Sequence, residues 1–166
     1  MLPELLVTAR LRCERFTDGH VAELAILDAN ERVQATIFGH TYSFDETRAR
    51  VARRVASWAE HGYGDYVVRL PDGTFVGCVG LFPAAADPRA VNVGYALRPE
   101  YWGRGYATEL CVAIAHAATA LRPTAIEAVV LETNLDSRRV LEKSGFRLVG
   151  PNPTEPETLL YRFTPA

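Results

Sequence analysis

Several residue types that would mark other kinds of protein are scarce in this chain. Only three cysteines occur, Cys13, Cys78 and Cys111. They are scattered and form no Cys-x-x-Cys pair, so neither a disulfide framework nor a zinc site is expected. The four histidines, His20, His40, His61 and His116, make no i, i+4 couple, and no metal is expected on that count either. Lysine is almost missing, with Lys143 standing against seventeen arginines. A Schiff-base mechanism would rest on that one residue beside a helix end and is set aside. Basic excess is absent too. The formal charge is −2 and the pI about 6.1, unlike proteins that bind nucleic acid by neutralising phosphates. The longest apolar stretch, Leu110 to Ala115, is far below the ~20 residues of a membrane helix. The opening Met-Leu-Pro-Glu-Leu-Leu-Val contains an acid and no basic segment, which makes a poor signal peptide. A cytoplasmic protein with neither nucleic acid nor membrane as partner is the expectation.

What is present suits a globular protein. The 166 residues are 48% apolar and 23% charged, ordinary values for a soluble fold with a real core. One domain, 1–166, is expected at this length. Leu5 to Phe16 reads as a first strand, with Leu11 and Cys13 alternating against Arg10, Arg12 and Glu14. Thr17 or Asp18 caps a helix to about Asp28. Ser43-Phe-Asp-Glu46 is a capping box. The helix after it places Val51, Ala52, Val55, Trp58 and Ala59 on one face and Arg50, Arg53, Arg54, Ser57 and Glu60 on the other. Asp65 to Leu70 and Thr74 to Phe82 flank the turn Pro71-Asp72-Gly73 and form a hairpin. Ala90 to Leu97 alternates as a further strand. A helix from Gly103 to Leu121 buries Ala107, Leu110, Cys111, Ile114, Ala117, Ala118 and Leu121. Thr124 to Thr133 is an apolar strand, Asn134 to Ser144 a short helix, and Phe146 to Val149 and Thr158 to Phe163 the last two strands. A meander followed by strand–helix–strand gives an α/β (α+β) fold with a mixed sheet and helices on both faces.

The chemistry concentrates in Gly94-Tyr-Ala-Leu-Arg-Pro-Glu-Tyr-Trp-Gly-Arg-Gly-Tyr-Ala-Thr-Glu109. A strand ends, a short turn follows, and a glycine-rich segment opens a helix. Gly103 and Gly105 clear space for a ligand to approach the backbone, and the unpaired amides and dipole of the helix start suit a pyrophosphate. Arg98 and Arg104 flank it. The plain alternative is a strand–helix turn with glycines for packing. A dinucleotide fingerprint fails at its third glycine, and no Gly-Lys-Ser/Thr of a Walker loop exists.

Trp102-Gly-Arg-Gly105-Tyr-Ala107 resembles the Gln/Arg-x-x-Gly-x-Gly/Ala pattern of the GNAT superfamily of acyl-coenzyme A N-acyltransferases, with Trp in the first place. The string Tyr101 to Glu109 is similar in particular to the branch of ribosomal-protein-alanine N-acetyltransferases (RimJ/RimL-like). Asn134-x-x-Ser137-x-x-Val140-Leu-Glu-Lys143-x-Gly-Phe146 resembles that branch's second block. The resemblance implies a twisted, mostly antiparallel sheet with a V-shaped split between the strands Ala90–Leu97 and Thr124–Thr133. It implies acetyl-coenzyme A as co-substrate, with the pyrophosphate on the amides of Trp102, Gly103, Arg104, Gly105, Tyr106, Ala107 and Thr108. The pantetheine arm would extend the strand near Ala96 and Leu97, where a backbone amide could polarise the thioester carbonyl.

The same resemblance points to Ser137 as the acid for the leaving thiolate; the other reading is that it helps satisfy the helix start. Asn134 could fix the turn or hold pantetheine and a water. A tyrosine acid found in many superfamily members is replaced by Leu141. Where some relatives carry a basic glutamate, this chain has Asn92, which leaves Glu132, Glu100 and His40 as candidate bases. Phe38, His40, Tyr42 and Phe44 are expected to line an acceptor pocket or to form a packed loop. The arginines after Ser43 would favour an acidic acceptor or make a solvated face. The implied activity is transfer of an acetyl group to a primary amine, a protein N-terminus or a small molecule, with a homodimer compatible. The rival reading is a non-catalytic acyl-coenzyme A binding or sensing domain.

Overall fold

The computed structural model describes residues 1–37 and 39–165. The expected first strand is two: β1 (Leu5–Val7) and β2 (Arg12–Arg15) pair antiparallel. Thr8 makes the turn between them, its amide donating to the Leu11 carbonyl at 2.9 Å and its hydroxyl accepting from the Leu11 amide at 3.1 Å. A short 3-10 turn then leads into α1 (Val21–Asp28). An unforeseen helical turn, α2 (Glu31–Gln34), follows, capped by Asn30, whose side-chain oxygen accepts from the amides of Arg32 and Val33. α3 (Phe44–His61) starts at the expected capping box, where the Ser43 amide donates to Glu46 at 2.7 Å.

The buried stripe of α3 differs from the one its apolar residues suggest. Thr47, Val51 and Trp58 are buried, while Ala52 and Ala59 face outward. Positions 47, 51, 54 and 58 lie on one helical line, so Arg54 falls on the inner side. Arg50 ion-pairs with the buried Asp28, and Arg54 lies 3.3 Å from Asp65. These two arginines are therefore structural, in place of the solvated face that the charge run suggests.

β3 (Asp65–Arg69), β4 (Phe75–Pro83) and β5 (Val91–Leu97) form the antiparallel meander. α4 (Tyr106–Ala118), β6 (Ile126–Leu131), α5 (Leu135–Lys143), β7 (Phe146–Pro151) and β8 (Thr158–Phe163) complete the chain. The eight strands lie in the order β1-β2-β3-β4-β5-β6-β8-β7, with β5 and β6 parallel and the rest antiparallel.

Side chains alternate across this sheet. Val91, Val93, Tyr95 and Leu97 pack with Leu110, Cys111 and Ile114 of α4 and Leu141 of α5. Ala96 belongs to the opposite layer, with Cys78, Val67 and the α1 residues Leu24 and Leu27. No helix among the described residues is long and apolar enough to cross a membrane. None of their side chains group as three or more potential metal ligands.

Candidate acetyl-transfer site

β5 and β6 pair at only two positions, Val91 with Ile126 and Asn92 with Glu127. Beyond them the strands part. The backbone of β5 shows which groups line the gap. The Arg98 amide donates to the Val76 carbonyl on β4, while the Val91 amide donates to Ala125 on the β6 side. In an antiparallel pair both backbone groups of one residue point the same way, and the next residue's point the other way. Residues 93, 95 and 97 therefore turn their backbones to the gap, and 94 and 96 turn theirs to β4. Ala96 is thus corrected as a backbone partner for an extended ligand arm. The gap-facing groups belong to Val93, Tyr95 and the amide of Leu97. The Leu97 carbonyl already accepts from the Trp102 indole at 2.8 Å.

At the carboxyl end of the gap, α4 begins with no side-chain cap. Gly105 is its N-cap at φ +78°, and Gly103 before it has φ +72°. Such backbone costs L-residues roughly 1–2 kcal/mol, which accounts for both glycines. Apart from its own chain neighbours, no described residue comes within 4 Å of the point a Cβ on Gly103 would occupy. The amides of Tyr106, Ala107 and Thr108 open the helix and have no intrahelical acceptor. Trp102 is corrected: its amide donates to Pro99 at 3.1 Å and its ring is tied to Leu97. It is a strut beneath the loop, because the 3-10 turn Pro99–Tyr101 captures its N–H. Arg98 is also engaged elsewhere, donating to the Phe75 carbonyl at 3.1 Å and ion-pairing with Glu100.

The brace of this loop comes from the far edge of the sheet. Glu109 accepts from the Thr8 hydroxyl at 2.6 Å, the Arg10 amide at 2.8 Å and Arg10 Nε at 2.7 Å. Arg10 Nη1 donates to the Arg104 carbonyl at 2.9 Å, and its guanidinium lies over the Tyr106 ring at 4.5 Å. Burial pushes the Glu109 carboxyl up, but the bonds from Thr8 and Arg10 and the charge of Arg10 outweigh it and hold the carboxyl below its ordinary value. Arg10 and Glu109 lie 99 positions apart, so no local pattern in the sequence joins them.

Ser137 lies on the inner side of α5, its hydroxyl 2.9 Å from the Tyr95 hydroxyl on β5. Burial raises the Tyr95 phenol well above its ordinary value, so it is a neutral hydroxyl at physiological pH. The helix start is satisfied by Asn134 instead. Its Oδ1 accepts from the Ser137 amide, and its Nδ2 donates to the Thr36 carbonyl, each at 3.1 Å. Tyr95 escaped the sequence reading; its inward place in the alternation of the strand was the available signal.

The candidate bases scatter. Glu100 is held by Arg98, Glu132 is exposed before Asn134, and His40 packs on Tyr42 with ring centroids 4.7 Å apart. Phe44 is 57% exposed, too open for the wall of a pocket, since it occupies the first turn of α3. Phe38 lies outside the described residues. The gap-facing backbone of β5 and the open, glycine-lined helix start together fit an extended arm ending in a pyrophosphate.

Comparison with known proteins agrees. The chain is 27% identical over 150 residues to the uncharacterized N-acetyltransferase YoaA of Bacillus subtilis, covering 88% of this chain and 84% of that one. The crystal structure of an acetyltransferase from Agrobacterium tumefaciens superposes with a TM-score of 0.85 at 26% identity, over 99% of this chain and 96% of the other. RimL, a ribosomal-protein alpha-N-acetyltransferase solved in complex with coenzyme A, shares the fold with a TM-score of 0.81 at 19% identity, over 96% and 97% of the two chains. The sequence model of the acetyltransferase (GNAT) domain matches residues 10–147. That span runs from the arginine bracing the helix start to the strand after α5, and it makes this chain a member of the GNAT acetyltransferases, enzymes that take their acetyl group from acetyl-coenzyme A.

Proposed function

We propose that the chain transfers acetyl from acetyl-coenzyme A directly to a primary amine, the N-terminus of a protein or the amine of a small molecule. The observation that carries this reading is the Tyr95–Ser137 hydroxyl pair beside the gap between β5 and β6. Acetyl transfer to nitrogen needs a polarised carbonyl, a neutral amine and a proton for the leaving sulfur. The gap-facing amides of β5 supply donors for the carbonyl oxygen. Ser137 gives its proton to the departing sulfur and regains one from the Tyr95 hydroxyl. The first-turn amides of α4, with Gly103 and Gly105, hold the pyrophosphate; Asn134 holds Ser137 in place from the helix cap.

Direct transfer is favoured over a cysteine-bound route. Cys111 is fully buried, and burial pushes its thiol up to about 12, so it is not a nucleophilic thiolate at neutral pH. The test is thiol release from acetyl-coenzyme A by the purified chain with alanine- and serine-initiated short peptides and with spermidine, the product being weighed by mass spectrometry. An acetylated amine in stoichiometry with free thiol is the expected result. Coenzyme A binding with no turnover on any amine would leave a binding domain.

A further inference from the structure

The reaction needs a group to receive the amine and remove its proton; of the candidates read from the sequence, Glu100 is held by Arg98, and Glu132 and His40 are exposed. The structure offers one on the other wall. Asn92 and Glu127 are the last pair joining β5 to β6 before the strands part. Asn92 shares the parity of Gly94 and Ala96, so both side chains lie on the face of the sheet that carries α1 and α3, opposite Tyr95 and Ser137. They are 7% exposed each. The Asn92 Oδ1 is buried with no hydrogen-bond partner, which is costly unless something donates to it. Glu127 is held by Arg162, whose Nη2 is 2.7 Å from Oε1; among the described residues nothing donates to Oε2. Phe82, 43% exposed and opposite Asn92 on β4, borders the pair on its other side.

An unpartnered amide oxygen beside a half-engaged carboxylate, at the point where the sheet opens, asks for a cationic donor with more than one N–H. We propose that Glu127 receives the acceptor ammonium together with Asn92 and takes its proton, acting from the face opposite Ser137. This rests on the reading that the chain acetylates a primary amine. The ammonium gives one proton to Glu127, which passes it to solvent. The freed nitrogen pair attacks the thioester carbon, the C–N bond forms and the C–S bond breaks. The second proton shed by the nitrogen also goes to solvent, solvent returns one to the Tyr95–Ser137 pair to replace the proton that sulfur takes, and one proton is released overall. The charged groups facing Glu127 are Arg162 on β8 and, beside it in register on β7, Arg147; beyond Phe82 lies the Arg54–Asp65 pair.

The experiment compares wild type, Glu127→Gln and Arg162→Met across pH, using the panel amine with the highest kcat/KM. Glu127→Gln keeps the side-chain shape, and its folding is checked by thermal melting. At neutral pH its kcat/KM should fall about 100-fold or more, with coenzyme A affinity measured by calorimetry unchanged. Below neutrality wild type should keep activity that Glu127→Gln loses. In Glu127→Gln the fall should move up to the acceptor's own ionisation, near pH 8 for an α-amine. Arg162→Met keeps the carboxylate but removes its hydrogen-bond partner, and should lower kcat/KM less than Glu127→Gln does while leaving coenzyme A affinity unchanged. A folded Glu127→Gln protein with wild-type kcat/KM, a deficit constant across pH, or an equal loss of coenzyme A affinity would overturn the assignment while leaving the acetyltransferase reading intact. Failure of wild type to acetylate any panel amine would instead overturn that reading, and this assignment with it.

Discussion

The start of α4 and the residues around Thr36 and Tyr42 are held in opposite ways. The helix start is shaped by two glycines within three residues and clasped by Thr8 and Arg10 through Glu109. Those residues take their positions from partners distant in sequence, with the Asn134 side chain donating to the Thr36 carbonyl and the Tyr42 amide donating to the Asp28 carbonyl at 3.0 Å. The proposed cofactor end is a backbone device that tolerates little substitution. The proposed acceptor end is a surface assembled from separate elements, where side chains can change without disturbing the sheet.

The widest separation of the two ends should come from the hydroxyl pair. Ser137→Ala is expected to lower kcat by about 10–1,000-fold while coenzyme A affinity measured by calorimetry stays put, the sign of an interaction made in the transition state. Tyr95→Phe should fall in the same direction, and the double variant should cost less than the product of the singles, because the two hydroxyls act as a unit. Wild-type turnover in Ser137→Ala would break the assignment of the acid.

Gly105→Val should act on the cofactor end alone. It forces a branched residue to φ +78° and should weaken coenzyme A binding at least about tenfold, the equivalent of 1.4 kcal/mol. Unchanged affinity in a folded variant would move the phosphate site elsewhere. Asn134→Ala removes both a helix cap and the tie to Thr36, and is expected to cost about 1 kcal/mol in chemical denaturation.

Glu109→Gln sharpens the comparison through pH. The folded-state carboxyl is held below its ordinary value of 4.5. Its contribution to stability is therefore complete above the unfolded value and lost as pH falls through the lowered folded one. The melting-temperature gap between wild type and Glu109→Gln should be widest near neutrality and close on acidification. The smallest effect belongs to the outer acceptor segment, where His40→Ala should change the acceptor KM a few-fold and leave coenzyme A affinity alone. An equal loss of cofactor binding would make that segment core.

The difference between the two ends also explains what could be read from the residues in order. The Ser43–Glu46 box, the Pro71–Gly73 turn and the glycine pattern of α4 are contacts within a few positions, and each stands where local chemistry puts it. The Arg10–Glu109 clasp joins residues 99 apart and the Tyr95–Ser137 pair residues 42 apart. Such partners are set by sheet register, which one sequence does not announce. Arg50 and Arg54 misled for a related reason, since a charge on a helix reads as solvated until the buried Asp28 and Asp65 are known to face it. Ala96 and Leu97 both stand on β5, but which of the two turns its backbone to the gap depends on the hydrogen bonds that β4 has already claimed.

The two-rung junction of β5 and β6 makes an edge in the middle of a sheet. Exposed edges invite stray strands to pair with them, and proteins usually guard them at the border with charge, proline or a covering helix. Here the bare rungs are recessed between two strands of the same sheet, too deep for another chain's sheet to reach yet open to one slender extended molecule. Geometry thus performs the exclusion that charged residues perform elsewhere, and the amides of Val93, Tyr95 and Leu97 should be the part of the core whose hydrogen exchange slows most when coenzyme A is added.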